Sequence, residues 1–406
     1  MKIVSINCCN YGSTGNIMLS IAELSRKEGD KHFVCFPNNR SCNRRIIEDS
    51  ILIGNSIDRN IHFQLARFTG KQDCYSTVVT KKLIKSIDEI EPQIIHLHNI
   101  HTCYLNIELL FNYIKSHNLK IIWTLHDCWA FTGRCPYFFI TGCEKWKKGC
   151  TNCPYPSSEY PQTNRDETTY LWSLKKKIFT SLENIIIVTP SQWLADLVKQ
   201  SFLKDYPIRV INNGIDLEVF KPNESDFRAR YALEDKYVLL GVAFGWGKRK
   251  GLDVFVELAS RLSHDYQIVL VGTNDKIDQT LPKNIISIHR TSDQHELAEI
   301  YSASDLFVNP TREENYPTVN MEAIACGTPV LTFRTGGSPE IPDEKTGYVV
   351  DVDDIDELEK QIIRICTEKC FSLQDCLERA KTFDRNTKFL EYISLYGLQR
   401  HNEEEV

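Results

Sequence analysis

Two successive series of short apolar, β-branched runs, separated by amphipathic stretches, restrict the fold of this chain more than any other feature. The first series is KIVSINC (2–8), HFVCF (32–36), IIHLH (94–98), KIIWTL (120–125) and IIIVT (185–189). The second is KYVLLGVAF (236–244), QIVLVG (267–272), IISI (285–288), DLFVN (305–309), PVLTF (329–333) and GYVV (347–350). Strands that alternate with helices form parallel sheets covered by helices. Two series predict two doubly wound α/β domains, and no close sequence repeat relates them. A chain of 406 residues also exceeds one ordinary core. The break is expected near VINNGIDLEVFKPNESD (210–226), where Asn-Gly, Pro and polar residues gather as in a linker. The predicted domains are 1–213 and 214–385. An amphipathic helix over 386–400 follows, in a terminal segment 386–406 whose HNEEEV reads as a frayed tail.

Composition narrows the function. A net charge of -6 argues against a non-specific nucleic-acid binder. No apolar run reaches the length of a membrane span, and MKIVSINCCNYG is apolar too briefly for a signal peptide. The expected location is the cytoplasm, with a peripheral position at the inner face of the cell membrane as the further option. The 15 cysteines are odd in number and mostly scattered, which speaks against a disulfide framework.

The segment EENYPTVNMEAIACGTPV (313–330) carries the most chemistry. Thr318 reads as the N-cap of a helix that Gly327 and Pro329 terminate. Free amides at a helix start form an anion site. Helical side chains tilt toward the N-terminus, so Glu322 leans to that end, and Glu314 arrives there from the preceding loop. One region thus offers donors for a phosphate and acceptors for hydroxyls, the two things a nucleotide sugar needs. The plainer reading is that such glutamates complement the helix dipole.

Glu314 and Glu322, followed by Ala-x-Ala-Cys-Gly-x-Pro-Val, resemble the donor-site signature of retaining glycosyltransferases of the GT-B fold, family 4. GWGKRKGLDVFVELASRL is similar to the family's Lys-Gly segment, and LVGTN (270–274), TGGSPEI (335–341) and KTGYVV (345–350) fall in the family's order. The resemblance covers most of the chain and is strongest over 236–350. Pro317 stands where members often carry Gly. Ala243 and Phe244 stand near the place of a common Arg, for which Lys248 or Arg249 would substitute. HLHNIHTCYLNIELL and TLHDCWAFTG resemble the branch that builds bacterial capsule, colanic-acid-like and other surface polysaccharides.

The resemblance implies two Rossmann-like domains facing a cleft, with a C-terminal helix returning to the first. It implies transfer, with retention and without a catalytic metal, from a nucleotide-diphosphate sugar to a glycan or lipid-linked saccharide acceptor. Glu314 would meet the donor sugar's hydroxyls, Glu322 the ribose, and the amides of Thr318 and Val319 sugar or phosphate. Lys250 would bind the diphosphate, with Arg249 beside it. His126 would lie next to the transferred sugar, so that His126, Lys250 and Glu314 form the catalytic set. Gly12 and Gly15 in YGSTGN (11–16) would let the backbone approach the donor, although a plain turn fits too. Asp127 ends the same strand edge as His126, where ligands of such folds bind. With His98, Asn99 and His101 it is a candidate for the acceptor side, and His96 is read as buried. The alternatives are another GT-B enzyme, such as a nucleotide-sugar epimerase, and an inactive sugar-nucleotide-binding partner subunit.

Three further stretches remain. DVDD (351–354) precedes the helical run IDELEKQIIRI and reads as an N-terminal cap, not a metal motif. LWSLKKKIF (171–179) reads as a solvated helix face, the alternative being a membrane-surface contact that reaches a lipid-linked acceptor. CPYFFITGCEKWKKGCTNCP (135–154) gathers Cys135, Cys143, Cys150 and Cys153, the last two with Cys-x2-Cys spacing. The segment shows little periodicity, and an irregular segment of this length needs something to hold it. The expectation is a closed structural zinc site shaping the acceptor side, with Cys128 outside it. Lys145, Lys147 and Lys148 would offset the thiolate charge. Free thiols and disulfides are the competing readings.

Overall fold

A computed structural model describes residues 1–153 and 162–404; Pro154 of the cysteine segment and Glu405–Val406 of the tail lie outside the described residues. The chain forms two compact units. One comprises Met1–Asn212 with the chain from Lys388 onward, and the other Asn213–Thr387.

The first unit holds a seven-stranded sheet: β1 (Lys2–Ile6), β2 (Lys31–Pro37), β3 (Ser50–Ile53), β4 (Ile94–Leu97), β5 (Lys120–Thr124), β6 (Ile185–Thr189) and β7 (Ile208–Val210). Their order is β3-β2-β1-β4-β5-β6-β7, all parallel. Parallel strands are covered on both faces, which is why the central ones read as continuous apolar runs. Val4, Ile6, Ile95, Leu97, Ile121, Trp123 and Ile187 face one layer of core. Ile3, Ile94, Ile122 and Val188 face the other. That second layer is closed by the C-terminal helix Arg385–Glu404, whose Phe389, Tyr392, Leu395 and Tyr396 pack there with Ile17 and Ile21 of the helix Gly12–Lys27. Each such side chain contributes about 1.5–3 kcal/mol of burial. Tyr396 also ties the helix to β4, its hydroxyl lying 2.7 Å from Nδ1 of the buried His96, whose Nε2 lies 2.8 Å from the Thr124 hydroxyl. The helix takes in His401–Glu404, where the sequence suggests a frayed tail.

The second unit holds β8 (Tyr237–Val242), β9 (Tyr266–Val271), β10 (Ile285–Ile288), β11 (Leu306–Asn309), β12 (Val330–Phe333) and β13 (Gly347–Val350). They are ordered β10-β9-β8-β11-β12-β13, again parallel, between two apolar layers. Asp354 caps the helix Ile355–Glu368 by accepting from the Glu357 amide at 3.0 Å. Asp351 pairs with Arg334 and Asp353 with Arg312, so DVDD is spent on capping and ion pairs.

Candidate active site

In the second unit the strand order reverses between β8 and β11, and doubly wound sheets bind ligands where the loops diverge at such a point. After β8 the chain enters a short 3-10 turn, Lys248–Lys250. After β11 it runs from Pro310 to Glu314. The two segments grip each other: the Arg312 amide donates to the Arg249 carbonyl at 2.9 Å, and the Arg249 guanidinium donates to the Glu313 carbonyl at 3.1 Å. Arg312, which sequence reading passes over, clamps the crossing. It grips Asp253 through two bonds of 2.8 and 2.9 Å and Asp353 through one of 2.7 Å.

The result is an ion pair between Lys250 Nζ and the Glu314 carboxylate. Burial alone would raise the Glu314 carboxyl; Lys250, and Arg249 more remotely, bring it below its ordinary value, so it is ionised. Thr335–Gly337 crosses directly over this residue. Gly336 has φ +56, and a Cβ there would stand 1.7 Å from the Glu314 carbonyl oxygen, so only glycine fits.

Behind the pair lies the helix Thr318–Ala325. Pro317, not Thr318, holds its N-cap position, and no side chain caps it. This corrects the sequence reading: Thr318 is the first helical residue, and its hydroxyl bonds to Glu322 one turn on. The amides of Thr318 and Val319 therefore remain without a side-chain cap. Glu322 also accepts from the Tyr301 hydroxyl at 3.2 Å. Burial pushes its carboxyl up to about 7, with the two hydroxyls partly offsetting.

The first sheet reverses between β1 and β4. Asn7, just past β1, accepts from the Asn99 amide at 3.2 Å and joins the two loops. The Asn99 carbonyl accepts from Tyr104 at 2.8 Å, so its backbone is committed to holding the loop. His98 stacks on His126 with ring centroids 5.3 Å apart and Nδ1 3.0 Å from Nε2. Burial drives His126 down to about 4 and His98 well below its usual value. Both rings are neutral at neutral pH, one donating to the other. His98, 1% exposed against 8% for His126, lies deeper and holds the His126 ring.

Beside them His101 Nε2 lies 3.0 Å from an Asp127 oxygen, and the other Asp127 oxygen accepts from the Trp129 amide at 2.8 Å. Burial opposes charge on both groups, but each overcomes it for the other: His101 is raised and Asp127 lowered. They form a buried hydrogen-bonded pair in which each favours the charged form of the other. Gly12 opens the helix Gly12–Lys27 at φ +66, and nothing lies within 4 Å of where a Cβ would stand, which leaves its backbone open. At Gly15 a Cβ would come 2.5 Å from the Asn10 backbone, so close packing already requires glycine there.

LWSLKKKIF lies in the helix Thr168–Phe179. Lys176 and Lys177 are exposed, but Lys175 is 1% exposed, which overturns the solvated-face reading for that residue. Its Nζ donates to the Trp129 and Thr132 carbonyls at 2.8 and 3.2 Å and sits 3.5 Å above the Trp129 ring. Burial lowers its ammonium to about 7. The helical period held the signal: Leu171, Leu174 and Ile178 mark the inward face, and position 175 lies on it.

The four clustered cysteines form no disulfide. The thiols of Cys135 and Cys153 are in hydrogen-bond contact, with Cys150 nearby. Among the described residues, two groups of three possible metal ligands place their donor atoms within 4.8 Å of one another, His62–Asp73–Cys103 and Asp275–Asp278–His289. The four cysteines belong to neither, so their sulfurs are gathered without forming a closed ligand set.

Residues 21–219 match the family model described as Glycosyltransferase Family 4, and residues 236–368 the one described as Glycosyl transferases group 1. Over 284 residues the chain is 28% identical to a protein of Escherichia coli K12 named for colanic acid biosynthesis, the glycosyl transferase WcaC. That alignment spans 66% of this chain and 66% of WcaC, just under two thirds of the relative's length. Among solved structures, sucrose-phosphate synthase of Thermosynechococcus elongatus shares the fold at a TM-score of 0.74, with 18% identity over 99% of this chain and 100% of that one. Anabaena Alr3699/HepE, solved with UDP-glucose, shares it at 0.66, with 14% identity over 97% and 99% of the two chains. Two parallel sheets with a returning C-terminal helix and these matches define the GT-B fold of glycosyltransferases. The chain belongs to glycosyltransferase family 4.

Proposed function

We propose that this chain moves a sugar, with retention, from a nucleoside diphosphate donor to a lipid-linked saccharide in the building of a bacterial surface polysaccharide. The Lys250–Glu314 pair at the strand reversal of the second sheet, beside a helix start without a side-chain cap, carries this reading. A diphosphate bound without metal needs cations and amide donors, and the sugar needs an acceptor carboxylate. Donor binding would exchange the pair's internal partners for these. Lys250, Arg249 and the amides of Thr318 and Val319 would take the diphosphate, Glu314 the sugar hydroxyls and Glu322 the ribose.

In the transfer, the acceptor oxygen bonds to the anomeric carbon on the face from which the diphosphate departs. The C–O bond to phosphate breaks, and the acceptor's proton passes to the departing phosphate oxygen. Lys250 and Arg249 stabilise the charge that grows there. His126, held neutral, positions the sugar through a hydrogen bond and is not the base. Asp127 and His101 shape the acceptor side. No metal enters the chemistry; the zinc expected on the cysteine segment would be structural.

The likeness to WcaC supports the surface-polysaccharide assignment. HepE with UDP-glucose makes UDP-sugars the first donors to try. No helix among the described residues is long and apolar enough to cross a membrane. A lipid-linked acceptor would be met at the membrane surface, and the helix Ser56–Thr69 suits this better than 171–179. It leaves Ile57, Ile61, Leu65 and Phe68 exposed at helical spacing and carries Arg59 and Arg67 against a single Asp58. Release of free nucleoside diphosphate only when lipid-linked acceptor is added would support the transfer; release without acceptor, or donor binding with no turnover, would favour the epimerase or the binding subunit.

A further inference from the structure

Lys175 is a buried basic group that the proposed transfer does not use. Its hydrogen bonds go to carbonyls, and Asp73 and Asp127 act on it only through space. A buried ammonium is costly without opposite charge close by. Cys150 and Cys135 also lie within electrostatic reach. As neutral thiols they would compensate nothing; as metal-bound thiolates they would. Arg134, 2% exposed, occupies the same region and reaches the Cys153 sulfur at 3.8 Å. The Gly133 amide donates to the Cys150 sulfur at 3.1 Å. Cys135 and Cys153, well separated in sequence, touch, and Cys143 lies near enough to Cys150 to act on its charge. N–H groups aimed at sulfur are the surroundings of a thiolate ligand.

We infer that Cys135, Cys143, Cys150 and Cys153 bind one structural zinc ion, that Arg134 and Lys175 are its counter-ions, and that the centre holds the loop beyond Asp127. Four thiolates around Zn2+ leave a charge of about -2, which the two buried cations match. Sulfurs at about 2.3 Å from zinc stand roughly 3.8 Å apart. Cys135 and Cys153 are already in contact, and Cys143 and Cys150 would turn in to complete the ligand set. Lys175 then links the centre to the Trp129 and Thr132 carbonyls, in the loop whose Trp129 amide orients Asp127.

Metal analysis of the full chain, purified without added zinc, tests this independently of any transfer reaction. About one zinc per chain is expected, with loss in Cys143→Ser and Cys150→Ser and retention in Cys128→Ser. Since a cysteine variant can fail to fold, the wild-type chain is also treated with a mercurial while a chromophoric chelator follows zinc release. Cobalt added to the stripped chain should give the sulfur-to-metal charge-transfer band of a tetrahedral thiolate site. Lys175→Met should weaken zinc retention about 10–100-fold. A folded wild-type chain with neither zinc nor a cobalt–thiolate band overturns the site. Zinc at one per chain in both serine variants also overturns it and moves the metal elsewhere. Unchanged retention in Lys175→Met overturns the counter-ion role.

Discussion

The two strand reversals hold polar groups of opposite character. In the second unit, Lys250 and Glu314 meet as a charged pair beside uncapped amides, an arrangement whose partners a charged ligand can replace. In the first, His98 and His126 stack as neutral rings, and the charges beside them, His101 and Asp127, are committed to each other. One site is poised to exchange charge; the other presents hydrogen bonds while keeping its own charge fixed. In the proposed transfer the former would meet the leaving diphosphate and the latter the uncharged sugar hydroxyls.

The contrast can be broken by variants that read out differently on the two sides. Asp127→Ala leaves His101 buried without its partner and should cost about 3–5 kcal/mol of stability, measured by denaturant unfolding. A loss under about 1 kcal/mol would show that the first unit's charges are not fixed in this way. Lys250→Ala should act in the reverse sense. Turnover should fall on the order of 10²–10³-fold in a protein that still folds, its unpaired Glu314 taking up a proton, and turnover comparable to wild type would remove the lysine from the site.

Glu322→Gln should weaken nucleotide binding by about 1.5–3 kcal/mol in titration calorimetry. It also carries a pH signature. The folded carboxyl is pushed up to about 7, against an unfolded value of about 4.3. Between these values the folded chain keeps a proton that the unfolded chain has lost, so stability falls as pH rises through the window and levels off above it. The glutamine variant should lose that slope in melting scans. Tyr396→Phe should have the smallest effect, about 1 kcal/mol for the lost bond to His96. An undiminished melting temperature would mean that the C-terminal helix holds by its apolar side chains alone.

The sequence disclosed the central strands because a strand covered on both faces must be apolar throughout. It concealed β3 and β7, outer strands of four and three residues that are mostly only partly buried and too short to stand out. In the candidate site, the nearness of Glu314, Glu322 and Lys250 to a helix start and a glycine turn was legible because fixed spacings tie them there. Arg312, Tyr301 and Lys175 were not singled out, since their importance comes from what they touch across the fold. Thr318 misled for a related reason: a threonine before a helical run resembles a cap, but Pro317 takes that place and the hydroxyl turns to Glu322.

The closure of the first unit by the helix Arg385–Glu404 has a consequence for how the chain is made. Synthesis runs in chain order, so Phe389, Tyr392 and Tyr396 emerge only after the whole of the second unit. Until then Ile3, Ile94, Ile122 and Val188 have only part of the cover that buries them, while the second unit, continuous from Asn213 to Thr387, can fold as soon as it leaves the ribosome. The half that begins first finishes last. At about 5–20 residues per second, the interval is on the order of ten seconds or more, in which a nascent chain would present an apolar sheet face to chaperones.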